Sequence, residues 1–239
     1  MFVESSIHRY EVIRGCSMKS LTTLWADAAG VCGAPKGEFS KPPSYLEYYE
    51  KHFSSRRYEK LQIVEIGVFR GQFLETLAHY FPNSSILGID QLPDRVQSKS
   101  NNITLVAGDQ ADKEGLRKIF EDHVADGADI IIDDASHVAE LTQSCFEASF
   151  PYLKSGGSYF VEDWATGYWK DWPDGEPFVQ PAFRDVGTDG FSMRRTTHDF
   201  GMVGLIKGFV DYVGAPEQMQ SAGLSSLEIV PGIARLSKL

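Results

Sequence analysis

The chain has 239 residues, of which 42% are apolar and 23% are charged, and its formal net charge is −10. This length and composition are typical of one large globular domain with a sizeable core. The negative charge argues against a nucleic-acid partner, because a polyanion would be repelled on average, whereas a cationic cofactor or a divalent metal would be attracted.

The sequence contains no signal for a membrane or for secretion. No stretch approaches the ~20 consecutive apolar residues of a membrane span, and the first 15 residues lack a basic region followed by an apolar one. The three cysteines, Cys16, Cys32 and Cys145, are odd in number and widely spaced, which predicts neither a disulfide framework nor a zinc site. We therefore expect a cytoplasmic protein without a membrane partner.

The predicted elements fall into two parts. Residues 1–59 have a mostly helical pattern, and we expect them to form a cap or lid. Residues 60–239 then alternate between strand and helix patterns, as one domain. The predicted strands are 61–68, 84–90, 102–109, 128–136 and 157–164. The predicted helices between them are 69–81, 113–124 and 140–153, and the last of these is expected to be stopped by Gly156 and Gly157.

The end of the chain completes the sheet. Residues 165–200 are rich in glycine, proline and aromatic residues, and a loop of this length predicts a substrate-binding or lid segment. A helix at 201–214 precedes a hairpin, 224–239, that turns at Pro231-Gly232. The pattern predicts an α/β, Rossmann-like, doubly wound sheet of seven strands, mostly parallel with an antiparallel C-terminal hairpin.

The first strand ends in VEIGVFRG, at the edge of the sheet where such folds bind ligands. Gly67 and Gly71 allow a sharp turn and a close approach of a ligand to the backbone. By themselves these glycines could merely cap a strand-to-helix turn. Acidic residues at the ends of the first two strands, Glu65 and Asp90, strengthen the case for a ligand, because Asp90 is placed to accept hydrogen bonds from ribose hydroxyls.

The third strand ends in GDQAD, which places Asp109 and Gln110 beside the edge of a base. The E-x-G-x-x-x-G pattern, with these acids, resembles the class I S-adenosylmethionine (SAM) methyltransferases. The resemblance implies that SAM is the cofactor and that its binding residues are Glu65, Gly67, Gly71, Asp90, Asp109 and Gln110.

Acidic residues also follow the fourth and fifth predicted strands. IIIDDASH ends in Asp133, Asp134 and His137, and VEDW contains Glu162 and Asp163. One helix-plus-strand unit separates the two motifs, so the strands can be neighbours and their carboxylates can cluster. Carboxylates so close repel each other unless a cation lies between them, and oxygen ligands favour Mg²⁺, with Ca²⁺ or Mn²⁺ as alternatives.

IIIDDASH followed by LKSGGSYFVEDW resembles the metal-dependent sugar O-methyltransferases of macrolide biosynthesis, the mycinamicin type, and the related cephalosporin-hydroxylase-like proteins. The likeness extends over about residues 60–239. It implies that Asp134, Glu162 and Asp163 bind Mg²⁺ and that His137 is the catalytic base.

An upstream segment, GAPKGEFSKPPSYLEYYEKHF, is similar to the G-T-D-K-G…Y-x-x-x-Y-E segment of the same family. Lys36, Tyr45 and Tyr49 match that pattern, whereas Ala34 and Pro35 replace its Thr-Asp pair. The contacts of the cap are therefore less well defined by the resemblance than the acidic motifs are.

The resemblance implies Mg²⁺-dependent, SAM-dependent methylation of a sugar hydroxyl on a glycosylated natural product, in antibiotic or other secondary metabolism. Two alternatives stay open: a catechol-like O-methyltransferase, and a SAM-binding, hydroxylase-like protein that does not methylate. Asp133 is expected to be structural, Ser136 could cap a helix, and His137 could be a structural histidine paired with a carboxylate. The aromatic residues of 165–200 suit a sugar ring, or could pack against the sheet or a neighbouring subunit, and a homo-oligomer is expected.

Overall fold

The fold is a seven-stranded sheet with helices on both faces, seen in a computed structural model that describes residues 18–33, 41–177, 199–214 and 223–239. Cys16, Ala34, Pro35, Lys36 and residues 178–198 of the predicted loop lie outside the described residues. The helices are α1 (Leu21–Cys32), α2 (Pro43–Phe53), α3 (Gln72–Tyr80), α4 (Lys113–His123), α5 (Ala139–Ser149) and α6 (Gly201–Gly214). The strands are β1 (Gln62–Ile66), β2 (Ser85–Asp90), β3 (Ile103–Ala107), β4 (Ala128–Asp133), β5 (Leu153–Glu162), β6 (Leu224–Val230) and β7 (Ile233–Lys238).

The strand order, β3-β2-β1-β4-β5-β7-β6, confirms the predicted doubly wound sheet. Strands β1 to β5 pair in parallel, and β7 runs antiparallel to both β5 and β6. The chain moves outward from β1 to β3 and then returns to β4, so the switch in direction lies between β1 and β4. Ligands bind at such a switch point in open α/β sheets.

Two predicted boundaries were wrong, the end of the helix at 140–153 and the start of the strand at 157–164. The cause is a shift in the pairing register of β4 and β5. Helix α5 ends at Ser149 and a short 3₁₀ turn leads directly into β5, so Gly156 and Gly157 lie inside a strand and do not stop the helix. The pairing of β4 with β5 shifts at this point, from Ala128–Leu153 to Ile130–Ser158. The two glycines accommodate this irregularity, which depends on strand pairing and not on helix-stop chemistry.

The central strands have apolar side chains on both faces, which is why they form continuous apolar runs in the sequence. On one face, Ile63 and Ile132 pack with buried residues of α1, α2 and α3. On the other face, Val64 and Ile131 pack with buried residues of α4, α5 and α6. The sheet is therefore covered on both sides, and its ligand edge is the rim formed by the carboxyl ends of the strands.

The N-terminal helices share the core of the sheet. Leu24 of α1 and Tyr49 of α2 belong to the same apolar cluster as Ile63 of β1 and Phe160 of β5. The predicted division of the chain at residues 59 and 60 remains a prediction. Across the described part of the chain, no helix is both long enough and apolar enough to span a bilayer.

The loops that follow β1 and β4 approach each other closely at Gly67. The Asp134 amide donates to the Ile66 carbonyl at 2.9 Å. Gly67 has a φ of +87°, and a Cβ placed on it would lie 2.3 Å from the Asp134 carbonyl oxygen. Only glycine fits this position for two reasons. Any other residue would be strained at this positive φ, and its Cβ would overlap the backbone of the loop after β4, which cannot move aside as a flexible side chain can.

We predict that Gly67→Ala lowers the free energy of unfolding by at least about 3 kcal/mol, because left-handed strain and the overlap with backbone add together. Gly156→Ala is the matched control, since Gly156 has a φ of +76° but a Cβ placed on it would have no other atom within 4 Å. That control should cost only about 1 kcal/mol. Urea unfolding measures both variants, and equal losses would contradict the close approach.

Candidate active site

The carboxyl ends of β1, β4 and β5 open into one cavity of about 590 Å³. Ile66 pairs with Asp133, and Asp133 pairs with Val161, so the residues that follow these pairs meet at one rim. The predicted site residues that line the cavity are Glu65, Gly67, Asp134, His137, Glu162 and Asp163.

Left-handed backbone directs several side chains into this cavity. Among the described residues, those other than glycine with positive φ are Phe69, His137 and Asp163, with φ of 52°, 54° and 52°. All three line the cavity. Such a conformation costs of order 1–3 kcal/mol at a residue other than glycine and tends to occur at functional sites.

A lysine lies between two of the predicted metal ligands. Lys41 Nζ donates to Glu162 Oε2 at 2.5 Å, to Glu162 Oε1 at 2.6 Å and to Asp134 Oδ2 at 2.8 Å. The Lys41 side chain is 5% exposed and Glu162 is 1% exposed. Burial alone would lower the pKa of Lys41, but the charges of Asp134 and Glu162 raise it above its ordinary value, so the side chain is an ammonium ion.

Two tyrosines of α2 bind the acids at the end of β5, Glu162 and the adjacent Asp163. Tyr49 donates its hydroxyl to Glu162 Oε1 at 2.6 Å, and Tyr45 donates to Asp163 Oδ1 at 2.5 Å. Burial raises the pKa of Tyr49 well above its usual range, so it stays a donor. Tyr45 and Tyr49 are the two tyrosines that match the upstream family segment. In the structure their hydroxyl groups are hydrogen-bond donors to the acids.

One oxygen of Asp134 and one oxygen of Asp163 lie near the His137 ring. His137 Nε2 lies 3.8 Å from Asp134 Oδ1 and 3.6 Å from Asp163 Oδ2. Asp134, His137 and Asp163 each offer one ligand atom, and these atoms all lie within 4.8 Å of one another. Glu162, by contrast, directs both of its oxygens toward Lys41. This arrangement can hold a cation between the acids, or a proton on the imidazole ring.

The backbone of His137 is fixed by the segment that follows β5. Thr166 Oγ1 and Trp172 Nε1 both donate to the His137 carbonyl, at 3.1 and 3.0 Å. Asp174 Oδ2 in the same segment accepts from the amides of Ala139 and Met202, at 2.7 and 2.9 Å. One aspartate thus joins the N-termini of α5 and α6 to the segment that holds the histidine.

The glycine loop is organised by Asp90. Its Oδ2 accepts from the amides of Val68 and Phe69, each at 2.9 Å, and its Oδ1 accepts from the Leu92 amide at 2.8 Å. Gly71, with φ of +85°, packs against Val96. Asp90 and Gly71 therefore shape the loop that borders the cavity but do not line the cavity itself.

Glu65 lines the cavity with a buried carboxyl. Its carboxyl is 2% exposed, and Oε2 has no hydrogen-bond partner among the described residues. Burial raises the pKa of Glu65 well above its usual range. A buried carboxyl oxygen without a partner is costly, so this atom is a natural contact for a donor or a cation bound in the cavity.

The residues after β3 separate into an exposed and a buried one. Asp109 is exposed and accepts from the Ala111 amide. Gln110 is buried, and its amide donates to Asp133 Oδ1 at 2.9 Å while its Oε1 accepts from Ser136 Oγ at 2.5 Å. Burial raises the pKa of Asp133 to about 7. Asp133 is buried and bonds to Gln110 and to the Ala135 amide, contacts that fit the structural role predicted for it. Ser136 binds Gln110 and is not the N-cap of α5, which is Val138.

Lys41 was missed by sequence reasoning. It lies just before the two prolines that begin α2, and no local pattern distinguishes it from Lys36, the lysine that the family resemblance selects. The surplus of acids after β4 and β5 could have indicated that a basic residue lies among them, because three clustered carboxylates require a positive partner.

A model of the FtsJ-like methyltransferase family matches residues 46–208. The chain belongs to this family. The matched region contains the glycine loop, the acid cluster and the predicted base.

Curated relatives of this methyltransferase are named as O-methyltransferases. Demethylmacrocin O-methyltransferase of Streptomyces fradiae is 30% identical over 188 residues, which cover 76% of this chain and 42% of that protein. The 8-demethyl-8-alpha-L-rhamnosyl tetracenomycin-C 2'-O-methyltransferase of Streptomyces olivaceus is 30% identical over 211 residues, which cover 82% of this chain and 50% of that protein.

The chain is also similar in structure to solved methyltransferases. The MycE methyltransferase of the mycinamycin biosynthetic pathway, in complex with Mg and SAH, has a TM-score of 0.66 at 25% identity, and the match covers 90% of this chain and 54% of that one. A second MycE structure, with Mg, SAH and mycinamycin VI, has a TM-score of 0.63. This methyltransferase chain spans about half the length of the relatives and structures that it matches.

We predict that Asp174→Ala lowers the free energy of unfolding by about 1–3 kcal/mol, because it removes the acceptor at two helix N-termini. Asp171→Ala, at an exposed position three residues away, should change it by less than about 0.5 kcal/mol. Thermal and urea unfolding of both variants provide the comparison. Equal stability of the two variants would show that the Asp174 contacts are not holding α5 and α6.

Proposed function

We propose that this chain is a SAM-dependent O-methyltransferase that uses a divalent cation, Mg²⁺ first, to methylate a sugar hydroxyl of a glycosylated natural product. The observation that carries the proposal is the grouping of Asp134, His137 and Asp163 in one cavity beside the glycine loop. The named activities of the relatives, sugar O-methyltransferases of antibiotic pathways, support the substrate class.

The cavity suits a cationic cofactor. Glu65, whose Oε2 has no hydrogen-bond partner within the described residues, lines the cavity, and Gly67 brings backbone to its wall. The residues proposed to hold SAM are the six predicted ones. Glu65 and Gly67 line the cavity, whereas Gly71, Asp90, Asp109 and Gln110 lie outside its lining, at or after the ends of β1, β2 and β3. When bound, SAM supplies a methyl group on a positively charged sulfur, and an acidic surrounding favours that charge.

The acid cluster suits a hard cation. Asp134, Glu162 and Asp163 provide only oxygen ligands, which is the donor set that Mg²⁺ prefers. We propose these three as its ligands. When bound, such a cation lowers the pKa of a hydroxyl next to it and can hold two adjacent oxygens of a diol.

His137 is the proposed base. Its Nε2 is the ring atom that faces the cavity acids, so a substrate hydroxyl there can transfer its proton to it. Asp134 and Asp163 flank Nε2 and stabilise the positive charge that the ring gains. Thr166 and Trp172 hold the backbone of the histidine in place, which limits the geometries that the ring can adopt.

Tryptophan side chains offer faces in the cavity against which a sugar could pack. Trp25, Trp169 and Trp172 line the cavity, and Trp169 is 54% exposed. Flat aromatic faces pack well against the C–H faces of sugar rings and exclude water from the reacting hydroxyl. These tryptophans are therefore the proposed substrate contacts among the described residues.

We predict transfer of labelled methyl from SAM to macrolide glycosides with free neighbouring sugar hydroxyls, and at least about a 100-fold loss with EDTA or in Asp163→Asn. Asparagine tolerates the left-handed backbone at this position. Calorimetry should show that the variant still binds S-adenosylhomocysteine, and Asp126→Asn, at an exposed site, should keep full activity.

The outcomes of this assay separate the alternatives. Methylation of catechols but not glycosides would indicate a catechol-like enzyme. Cofactor binding without transfer to either class would indicate a protein that does not methylate. Full activity of Asp163→Asn, or full activity in EDTA, would refute the metal role.

We also predict that His137→Asn lowers kcat by about 10²- to 10⁴-fold, the usual contribution of a general base. Asparagine again suits the left-handed φ at this position. Mg²⁺ and cofactor affinities should change little, because the proposed ligands remain. His123→Asn, at an exposed histidine outside the cavity, is the control, and a near-normal rate for His137→Asn would remove His137 as the base.

A further inference from the structure

Lys41 occupies the space between Asp134 and Glu162. Its ammonium lies within 2.8 Å of three carboxylate oxygens, and it packs 4.4 Å from the centre of the Phe73 ring. The side chain is 5% exposed, so water does not replace these contacts. A buried ammonium with three close oxygens is a complete cation site that the chain itself supplies.

The same oxygens are needed by the cation of the proposed function. Both oxygens of Glu162 bind Lys41, and Tyr49 also donates to Oε1. Asp134 directs only Oδ1 toward His137. A divalent ion therefore cannot bind Glu162 and Asp134 together while the ammonium stays where it is, because two cations would occupy one place.

We infer that Lys41 is the resident cation of this site and competes with the divalent metal for Glu162 and Asp134. This inference rests on the proposed function and adds a residue that sets the affinity for the metal. In the metal-free protein, Lys41 offsets the repulsion between the acids. Binding of the ion at Glu162 requires the ammonium to leave, so Lys41 weakens metal binding.

The test is Mg²⁺ binding by calorimetry to the whole protein with S-adenosylhomocysteine present, for wild type and Lys41→Met. Methionine keeps the length of the side chain and removes its charge. We expect Lys41→Met to bind Mg²⁺ at least about tenfold more tightly, as expected for the loss of a competing unit charge at hydrogen-bond range. The control is Lys51→Met, which removes a lysine that is 66% exposed and paired with Glu228 at the surface.

Thermal unfolding gives a second readout. Without Mg²⁺, Lys41→Met should unfold at a lower temperature than wild type, because the buried acids lose their cation. Added Mg²⁺ should stabilise this variant more than it stabilises wild type or Lys51→Met. A lysine with a purely structural role would give the opposite result, namely equal or weaker Mg²⁺ binding after its removal.

A measurement on wild type covers the case in which Lys41→Met fails to fold. Reductive methylation of lysines, quantified by mass spectrometry, should label Lys41 several-fold more with Mg²⁺ than with NaCl at matched ionic strength. Lys51 serves as the internal reference and should be labelled equally in both. Unchanged protection of Lys41 under saturating Mg²⁺ would overturn the inference.

The inference and the proposed function fail in different ways. If wild type binds Mg²⁺ and methylates, but Lys41→Met binds the ion no more tightly, the competition is refuted and the function stands. If neither protein binds Mg²⁺, the metal role and the competition are both refuted. If only Lys41→Met binds it, the competition is supported, but the metal role of the proposed function is refuted for wild type.

Discussion

Three carboxylates at the ends of β4 and β5 can share one rim only while positive charge and hydrogen-bond donors lie among them. Lys41, Tyr45 and Tyr49 supply these contacts to Asp134, Glu162 and Asp163. All three donors come from the chain before β1, in or next to α2. Helix α2 also contributes to the apolar cluster on the sheet face that carries Ile63 and Ile132. When this helix packs against the sheet, it therefore also brings the donors to the acids.

The sheet and its ligand edge could be predicted from the sequence because their signals are local. The run Ile130–Ile132 predicts a strand that is buried on both faces, and the structure buries each of these residues. The abrupt change to Asp133 and Asp134 then marks the carboxyl end of that strand. Parallel strands place such ends at one edge, so the positions of Glu162 and His137 followed from topology alone.

The rest depended on contacts between distant parts of the chain. Lys41 is 93 residues from Asp134 and 121 from Glu162, and no local pattern announces such a pair. Gln110 satisfies the buried Asp133, a need that exists only after β4 is placed in the core. The glycines of β5 serve a shift of register and not a helix end. In each case the residue is needed for a contact or a backbone shape that exists only once distant parts of the chain have packed together.

One ammonium cannot neutralise three carboxylates. With Lys41 in place, the cluster of Asp134, Glu162 and Asp163 keeps a surplus of negative charge, so the cavity continues to attract cations. Exchange of an ammonium for a divalent ion adds one positive charge at the same place, which favours the exchange. The lost contacts of Lys41 oppose it. The affinity of the site for metal is then the difference between these two terms, and Lys41 allows the acids to stay folded together before any ion arrives.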